Sequence, residues 1–218
     1  MRAFIAIELP TGIKDALSKI QEELKIEHLK LLSSEILPCL RGRISNLRTR
    51  VDNGRESLSW VKPQNLHLTL KFLGDISPEQ LNAIKQIIAE ITKTISAFKI
   101  KFETTGVFPN LHAARIIWVG ADQPPLELKQ LAQQLETRLS KPGVPPQEQR
   151  DFHPHITIAR IKNRLNPSDL KKTLDELENA VAGANWEFDC GEITLFESTL
   201  GLGGPTYTTL DQFNLKII

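Results

Sequence analysis

The feature that most constrains this chain is a short apolar strand pattern that occurs twice, each time with a histidine and a threonine two positions apart. The first copy contains His67 and Thr69, and the second contains His155 and Thr157. Because successive side chains of a strand point to opposite faces, each histidine shares one face with its threonine, while the alternating apolar residues take the other. The same alternation assigns Phe72 to the apolar face of the first copy. The repetition predicts two strands that present paired acid/base groups to a shared cleft.

The pattern around these strands divides the chain into two halves of similar order. Each half contains an apolar strand, a helix, a His-x-Thr strand and another helix, which predicts an α+β fold with an internal duplication. The first half is longer because of residues 27–57, which match no element of the second half. We interpret them as an insertion into one copy, within a single bilobal domain that spans residues 1–218.

Composition and charge narrow the class of function. The formal net charge of +1 argues against a broad basic surface for long nucleic acids, but leaves room for a local anion site. The two cysteines, Cys39 and Cys190, are too few for a disulfide framework and lack metal-ligand spacing, which predicts reduced thiols in a cytoplasmic protein. The apolar run at residues 4–9 is too short for a signal or transmembrane segment, so we expect no membrane association.

Two histidines that face one cavity suit a reaction in which one proton is removed and another is delivered, since imidazole changes charge near neutral pH. The threonine hydroxyl on the same face can donate a hydrogen bond to an anionic oxygen held between the histidines. The sequence contains no nucleophilic serine or cysteine motif, so water or a substrate hydroxyl is the expected nucleophile. A phosphodiester, which combines negative charge with exchangeable ester bonds, fits this set of groups best.

The main chemical alternative is a zinc site, because His67, His153 and His155 could supply three nitrogen ligands. Pro154 distorts the strand between the last two histidines, and no acidic or cysteine ligand accompanies them. We therefore expect neither a metal nor another cofactor.

Five stretches, in their order along the chain, resemble the two-histidine phosphoesterases, and specifically the bacterial and archaeal RNA 2′,3′-cyclic phosphodiesterases, also called 2′-5′ RNA ligases. They are MRAFIAIELP, NLHLTLKFLGD, FPNLHAARIIWVG, FHPHITIAR and LFESTLGLGGPTYTTLDQF. The resemblance implies a bilobal LigT-like fold, with two antiparallel sheets facing across a cleft and helices on the outside. It also implies metal-independent hydrolysis of a terminal 2′,3′-cyclic phosphate to a 2′-phosphate, and the capacity to join RNA through a 2′-5′ bond.

The resemblance further implies a role for each residue of the two strands. His67 would protonate the departing 3′ oxygen, and His155 would activate the water. Thr69 and Thr157 would hold the non-bridging oxygens of the phosphate. Arg160 stands where the family often has an arginine, but strict alternation places it on the face opposite the cleft. It contacts phosphate only if the strand bulges, and otherwise it is a surface or ion-pair arginine.

Several alternatives stay open from the sequence. Phe4 either stacks on a base at the cleft rim or belongs to the core. The insertion either touches an RNA backbone or forms a solvated loop, and its five arginines are Arg41, Arg43, Arg48, Arg50 and Arg55. The expected partners are RNA ends with a 2′,3′-cyclic phosphate, including tRNA fragments, or cyclic mononucleotides, bound by a monomer. The alternative function is an RNA- or nucleotide-binding module, or a 2′-5′ ligase in which hydrolysis is incidental.

Overall fold

The computed structural model describes residues 1–36, 58–140, 152–163, 165–183 and 186–217, with the side chains of residues 27–36 excepted. Residues 27–36, which begin the predicted insertion, continue the first helix. The remainder of the insertion, with its five arginines, lies outside the described residues. None of the described helices is long and apolar enough to cross a membrane.

The described residues form ten strands, four α-helices and two short 3₁₀ turns, in the mixed order that the sequence predicts. The strands are β1 (Arg2–Glu8), β2 (Leu58–Trp60), β3 (His67–Asp75), β4 (Phe98–Lys101), β5 (Thr104–Phe108), β6 (Ile116–Gly120), β7 (His155–Ile161), β8 (Glu187–Cys190), β9 (Glu192–Gly201) and β10 (Gly204–Asn214). The helices are α1 (Thr11–Ile36), α2 (Pro78–Thr92), α3 (Leu126–Leu139) and α4 (Pro167–Ala182). The 3₁₀ turns are Pro63–Asn65 and Leu111–Ala113.

Two helix starts follow from local side-chain chemistry that is visible in the sequence. At α2, the Ser77 hydroxyl accepts from the Gln80 backbone N–H, and the Gln80 side chain accepts from the Ser77 backbone N–H. At α4, the Asn166 side chain accepts from the Ser168 backbone N–H. Each helix also has proline in its first turn, where no donor is lost. These side-chain bonds fix where α2 and α4 begin.

Seven strands form one antiparallel path in the order β10-β9-β1-β3-β7-β6-β5, β2 pairs with β7 off this path, and β4 and β8 form a separate pair. The two halves of the path meet at β3 and β7, where Leu68 pairs with Ile156. The prediction of an α+β fold is confirmed. The two predicted sheets are, by backbone pairing, two halves of a single sheet that are joined at the strands carrying the histidines.

A β-bulge interrupts β7 three residues after its histidine. Trp118 of β6 pairs with Thr157, and Ile117 pairs with Ala159, so Ile158 is an extra residue without a partner on β6. After an extra residue, each following side chain of the strand points to the face opposite the one that strict alternation would give it.

The matching bulge occurs in β3, again three residues after the histidine. Ala6 of β1 pairs with Thr69, and Ile5 pairs with Lys71, which leaves Leu70 as the extra residue. Lys71 therefore turns to the buried face, where its ammonium lies 2.6 Å from the Glu136 carboxylate of α3. The two halves therefore share a β-bulge at the same position relative to their histidines, in agreement with the internal duplication.

The two faces of the sheet have different surroundings. One face packs against the helices and supplies most of the buried apolar residues. The other face, which carries the histidines and is called the cleft face below, has a small separate cluster of Phe4, Ala6, Phe196 and Tyr207. Because β1 lies between β3 and β9 and is covered on both faces, five consecutive residues of this strand are buried.

Candidate active site

The two histidines are held in the same way at the start of their strands. The Nδ1 atom of His67 lies 2.7 Å from the backbone oxygen of Asn65, and the Nδ1 atom of His155 lies 2.7 Å from the backbone oxygen of His153. A carbonyl can only accept, so Nδ1 carries the hydrogen in both rings. This assigns proton exchange with a substrate to Nε2 of each histidine.

The pairing of Leu68 with Ile156 brings the two His-x-Thr motifs together on the cleft face. In this antiparallel register, the neighbours of the pair lie opposite each other, so the histidine of each strand lies beside the threonine of the other. Within the first motif, Nε2 of His67 lies 3.0 Å from the Thr69 hydroxyl, which donates to the neutral ring.

The electrostatic environment of His67 favours the neutral ring. Burial of the imidazole is the largest cause that lowers the pKa of His67 to about 4, because burial disfavours the charged form. The hydrogen bond to the Asn65 carbonyl acts in the opposite direction. The positive charges of Lys14, His155 and Arg160 lower the pKa further. The same positive charges would favour the binding of an anion at this site, because Coulomb attraction acts on any nearby negative group.

Neighbouring aromatic rings contribute to the partial burial of His67. The ring centroid of Phe4 lies 5.0 Å from that of His67, and the ring of Tyr207 meets His67 edge-on at 5.3 Å. Phe4 also contacts Phe196, with ring centroids 5.2 Å apart. In the second half, Phe108 meets His155 edge-on at 4.9 Å, so each histidine has an aromatic neighbour.

The β7 bulge decides where Arg160 lies. Arg160 pairs with Ile116, which is two residues from Trp118, the partner of Thr157. Ile116 and Trp118 share a face of β6, so Arg160 shares the cleft face with Thr157. The charge of Arg160 lowers the pKa values of both His67 and Tyr207, which agrees with this placement. The sequence left open whether Arg160 faces the cleft through a bulge or lies on the opposite face, and the structure has the bulge.

The aromatic residues of this region differ from the predictions in two ways. Phe4 is only 3% exposed, which agrees with a core position and not with stacking on a base. Phe72 is 54% exposed, and the assignment of this residue to the apolar face was wrong. The reason is the bulge at Leu70, after which Phe72 pairs with Phe4 and occupies the cleft face.

Three residues that contact His67 or lower its pKa were not predicted: Asn65, Tyr207 and Lys14. Asn65 precedes the histidine by two positions, and Tyr207 lies in the C-terminal stretch that carries the family resemblance. Both residues lie in stretches that the sequence analysis singled out. Neither has a sequence signal that separates it from an ordinary core residue. Lys14 lies in the first turns of α1, and its effect on the pKa of His67 depends on how the helix packs.

No group of three or more histidine, cysteine, aspartate or glutamate residues within the described part of the chain is arranged to hold a metal ion. Cys190 is buried, and burial raises the pKa of its thiol to about 12, so its nucleophilic thiolate form is disfavoured at neutral pH. The polar groups that converge on the cleft face are imidazoles, hydroxyls and a guanidinium.

Comparison with known proteins places this constellation in a family. The model of the LigT-like phosphoesterases matches residues 35–118 and 119–207, so each match contains one His-x-Thr strand. The chain belongs to the LigT-like phosphoesterase family. The two consecutive matches agree with the internal duplication that the bulges also show.

Individual relatives of this LigT-like protein match most of its length. An RNA 2′,3′-cyclic phosphodiesterase of Methanothermobacter thermautotrophicus is 30% identical over 215 residues, which cover 99% of each chain. One from Aquifex aeolicus is 38% identical over 157 residues, covering 72% of this chain and 81% of the relative. The crystal structure of Escherichia coli LigT complexed with 3′-AMP has a TM-score of 0.65 and 28% identity, covering 98% of this chain and 97% of that one.

Proposed function

We propose that this protein hydrolyses RNA or nucleoside 2′,3′-cyclic phosphates to the 2′-phosphomonoester by paired histidine catalysis. The observation that carries the proposal is the matched pair of imidazoles on one face, each anchored through Nδ1 to the carbonyl two residues before it. Matched anchors hold two equivalent Nε2 atoms at one place in the sheet, as acid/base chemistry on the two sides of a phosphorus atom requires. The full-length relatives named RNA 2′,3′-cyclic phosphodiesterase support the same reaction.

In the proposed reaction, His155 removes a proton from water as the water oxygen attacks phosphorus. The bond from phosphorus to the 3′ oxygen breaks, and the proton of His67 passes to that oxygen. The 2′ ester bond remains, so the product is a 2′-phosphate. Both histidines regain their starting states by proton exchange with solvent.

The remaining polar groups bind the phosphate. Thr69 and Thr157 donate hydrogen bonds to the non-bridging oxygens, and the Thr69 hydroxyl exchanges its contact with His67 for one with the anion. Arg160 adds positive charge where negative charge develops in the transition state. Binding of the anion also raises the pKa of His67 from its value in the unliganded protein, which favours the protonated form that an acid needs.

The same geometry permits ligation. If the 5′ hydroxyl of a second RNA replaces water, attack on phosphorus expels the same 3′ oxygen and leaves a 2′-5′ linkage. Hydrolysis and ligation therefore need the same two histidines. A pure RNA-binding module, the alternative function, needs neither proton transfer nor the two matched imidazoles.

Phe72 is the aromatic ring on the cleft face that we assign to base stacking, in place of Phe4. Its side chain is 54% exposed and lies two residues beyond the bulge, on the face of His67 and Thr69. Stacking on a ring tolerates any base, because every base has a π face. The expected substrates are RNA ends with a cyclic phosphate, including tRNA fragments, and cyclic mononucleotides. A monomer suffices, since one chain supplies both histidines.

Adenosine 2′,3′-cyclic phosphate in excess EDTA should be converted to 2′-AMP alone, because only the 3′ oxygen lies on the side of the acid. Separation of 2′-AMP from 3′-AMP by chromatography measures this outcome. The protein with both His67→Ala and His155→Ala serves as the inactive control. Formation of 3′-AMP, or loss of turnover in EDTA with recovery on added zinc, would contradict the proposed reaction.

The dependence of kcat/KM on pH should be bell-shaped, with its acidic limb near the pKa of about 4 that burial imposes on His67. The active protein carries one proton on the histidine pair, so activity is lost at low pH when both rings are charged and at high pH when both are neutral. The acidic limb of kcat should lie at higher pH than that of kcat/KM, because the bound anion raises the pKa of His67. A profile that only rises to a plateau would count against paired imidazoles.

A further inference from the structure

The β9–β10 hairpin reaches His67 through Asn65. The backbone oxygen of Asn65 accepts from Nδ1 of His67 at 2.7 Å, and the side-chain Nδ2 of the same residue donates to the backbone oxygen of Pro205 at 2.8 Å. Asn65 is 7% exposed, and both of its hydrogen bonds are partly buried. One buried residue therefore connects the hairpin to the nitrogen that orients the histidine.

The hairpin makes a second contact with the same ring. Tyr207 follows Pro205 by two residues on β10, and its ring meets His67 edge-on at 5.3 Å. Two residues of β10 therefore act on the imidazole. Pro205 acts through its hydrogen bond to Asn65, and Tyr207 packs directly against the ring.

The second half of the molecule lacks this buried arrangement. The residue that corresponds to Asn65 is His153, whose carbonyl accepts from His155 in the same geometry. The side chain of His153 is exposed and packs edge-on against Trp118 at 4.8 Å. Both histidines therefore bond to a backbone carbonyl in the same way, but only the carbonyl of Asn65 belongs to a residue whose side chain bonds to the β9–β10 hairpin.

We propose that Asn65 is a positioning residue, which holds the carbonyl anchor of His67 in place by its bond to the β9–β10 hairpin. This inference rests on the proposed role of His67 in proton transfer. Asn65 acts through the histidine and does not touch the substrate, so it affects the chemical step and not substrate binding. A displacement of an acid or base by about 1 Å can cost on the order of a hundredfold in rate.

Asn65→Ala should lower kcat about tenfold or more, with KM nearly unchanged, on a nucleoside 2′,3′-cyclic phosphate. Asn166→Ala is the matched control, since it removes an asparagine side chain that bonds to a backbone group at the start of α4. The control should lose thermal stability but keep kcat. If Asn65 served only stability, both variants would keep kcat below their melting temperatures.

The decisive measurement is the double variant of Asn65→Ala with His67→Ala. A residue that acts through His67 has nothing left to position once the imidazole is gone, so the double variant should be no slower than His67→Ala alone. Losses that multiply in the double variant would overturn the inference. If His67→Ala itself had no effect, the proposed function would fail instead, and the two failures are therefore distinguishable.

A change on the hairpin itself tests the relay without altering Asn65. Gly204 precedes Pro205 and has φ of +97°, a conformation that a residue with Cβ rarely adopts. Gly204→Ala should displace the Pro205 carbonyl and lower kcat in the same manner as Asn65→Ala, to a smaller extent. Gly201→Ala in the same hairpin is the control, because its Cβ would meet only an ordinary contact of 3.8 Å. Equal activity of these two glycine variants would also overturn the inference.

Discussion

His67→Ala should lose on the order of a hundredfold or more in kcat on a 2′,3′-cyclic phosphate and recover much of that loss on a nitrophenyl phosphodiester. The reason lies in the leaving group. A sugar oxygen leaves poorly without a proton, whereas a nitrophenolate is stable as an anion and needs none. Steady-state rates of the variant on both substrates, each divided by the rate of the unchanged protein, give the measurement.

His155→Ala is the matched comparison, because Nδ1 of each histidine bonds to a backbone carbonyl in the same geometry and both histidines lie on the cleft face. It should remain impaired on both substrates, since water still needs a base. The opposite pattern would exchange the two roles and keep the mechanism. Equal losses in both variants on both substrates would mean that the histidines mainly bind phosphate, and the acid/base assignment would fail.

This comparison decides what the pH profile cannot. A protein with charged His67 and neutral His155 carries the same number of protons as one with the charges exchanged. Both therefore give the same bell-shaped curve. The low pKa of unliganded His67 makes the neutral form prevalent at pH 7, so an acid role requires substrate to shift the proton onto that ring.

Arg160→Ala should lower kcat/KM by roughly tenfold to a hundredfold, which is the range for losing a hydrogen bond to a charged group. Arg160→Lys should restore part of the activity, because it keeps the charge and loses the planar fork that can hold two phosphate oxygens. Both effects should be measured on a cyclic mononucleotide, which is too short to contact other basic residues.

Arg138→Ala provides the control for the charge change. Arg138 lies on α3 and pairs with Glu90 of α2, on the outer helices. The two arginine variants have the same net charge, so a general electrostatic effect would lower activity equally in both. If Arg160→Ala matched Arg138→Ala, the phosphate-binding role of Arg160 would be disproved.

Much of the local structure could be predicted from the sequence, because it depends on neighbours along the chain. Helical spacing and capping residues determine where α2 and α4 begin, and Ser77 and Asn166 make the capping bonds. The repeated His-x-Thr pattern predicted both central strands and the duplication. It also placed each histidine on the same face as its threonine, since the two are two positions apart along the strand.

Contacts between distant segments decided the rest of the site. The exposure of Phe72 and the cleft position of Arg160 follow from Leu70 and Ile158, which are extra residues only relative to β1 and β6. The pKa of His67 follows from burial and from charges on other elements. Asn65 gains its proposed role from a carbonyl 140 positions away.

The physical reason is that the alternation of a strand is a local property, whereas a bulge exists only where two strands are compared. A sequence specifies which side chains can act as acid, base or anion ligand. The tertiary structure decides which of them share a face, which are shielded from water and which backbone groups orient them.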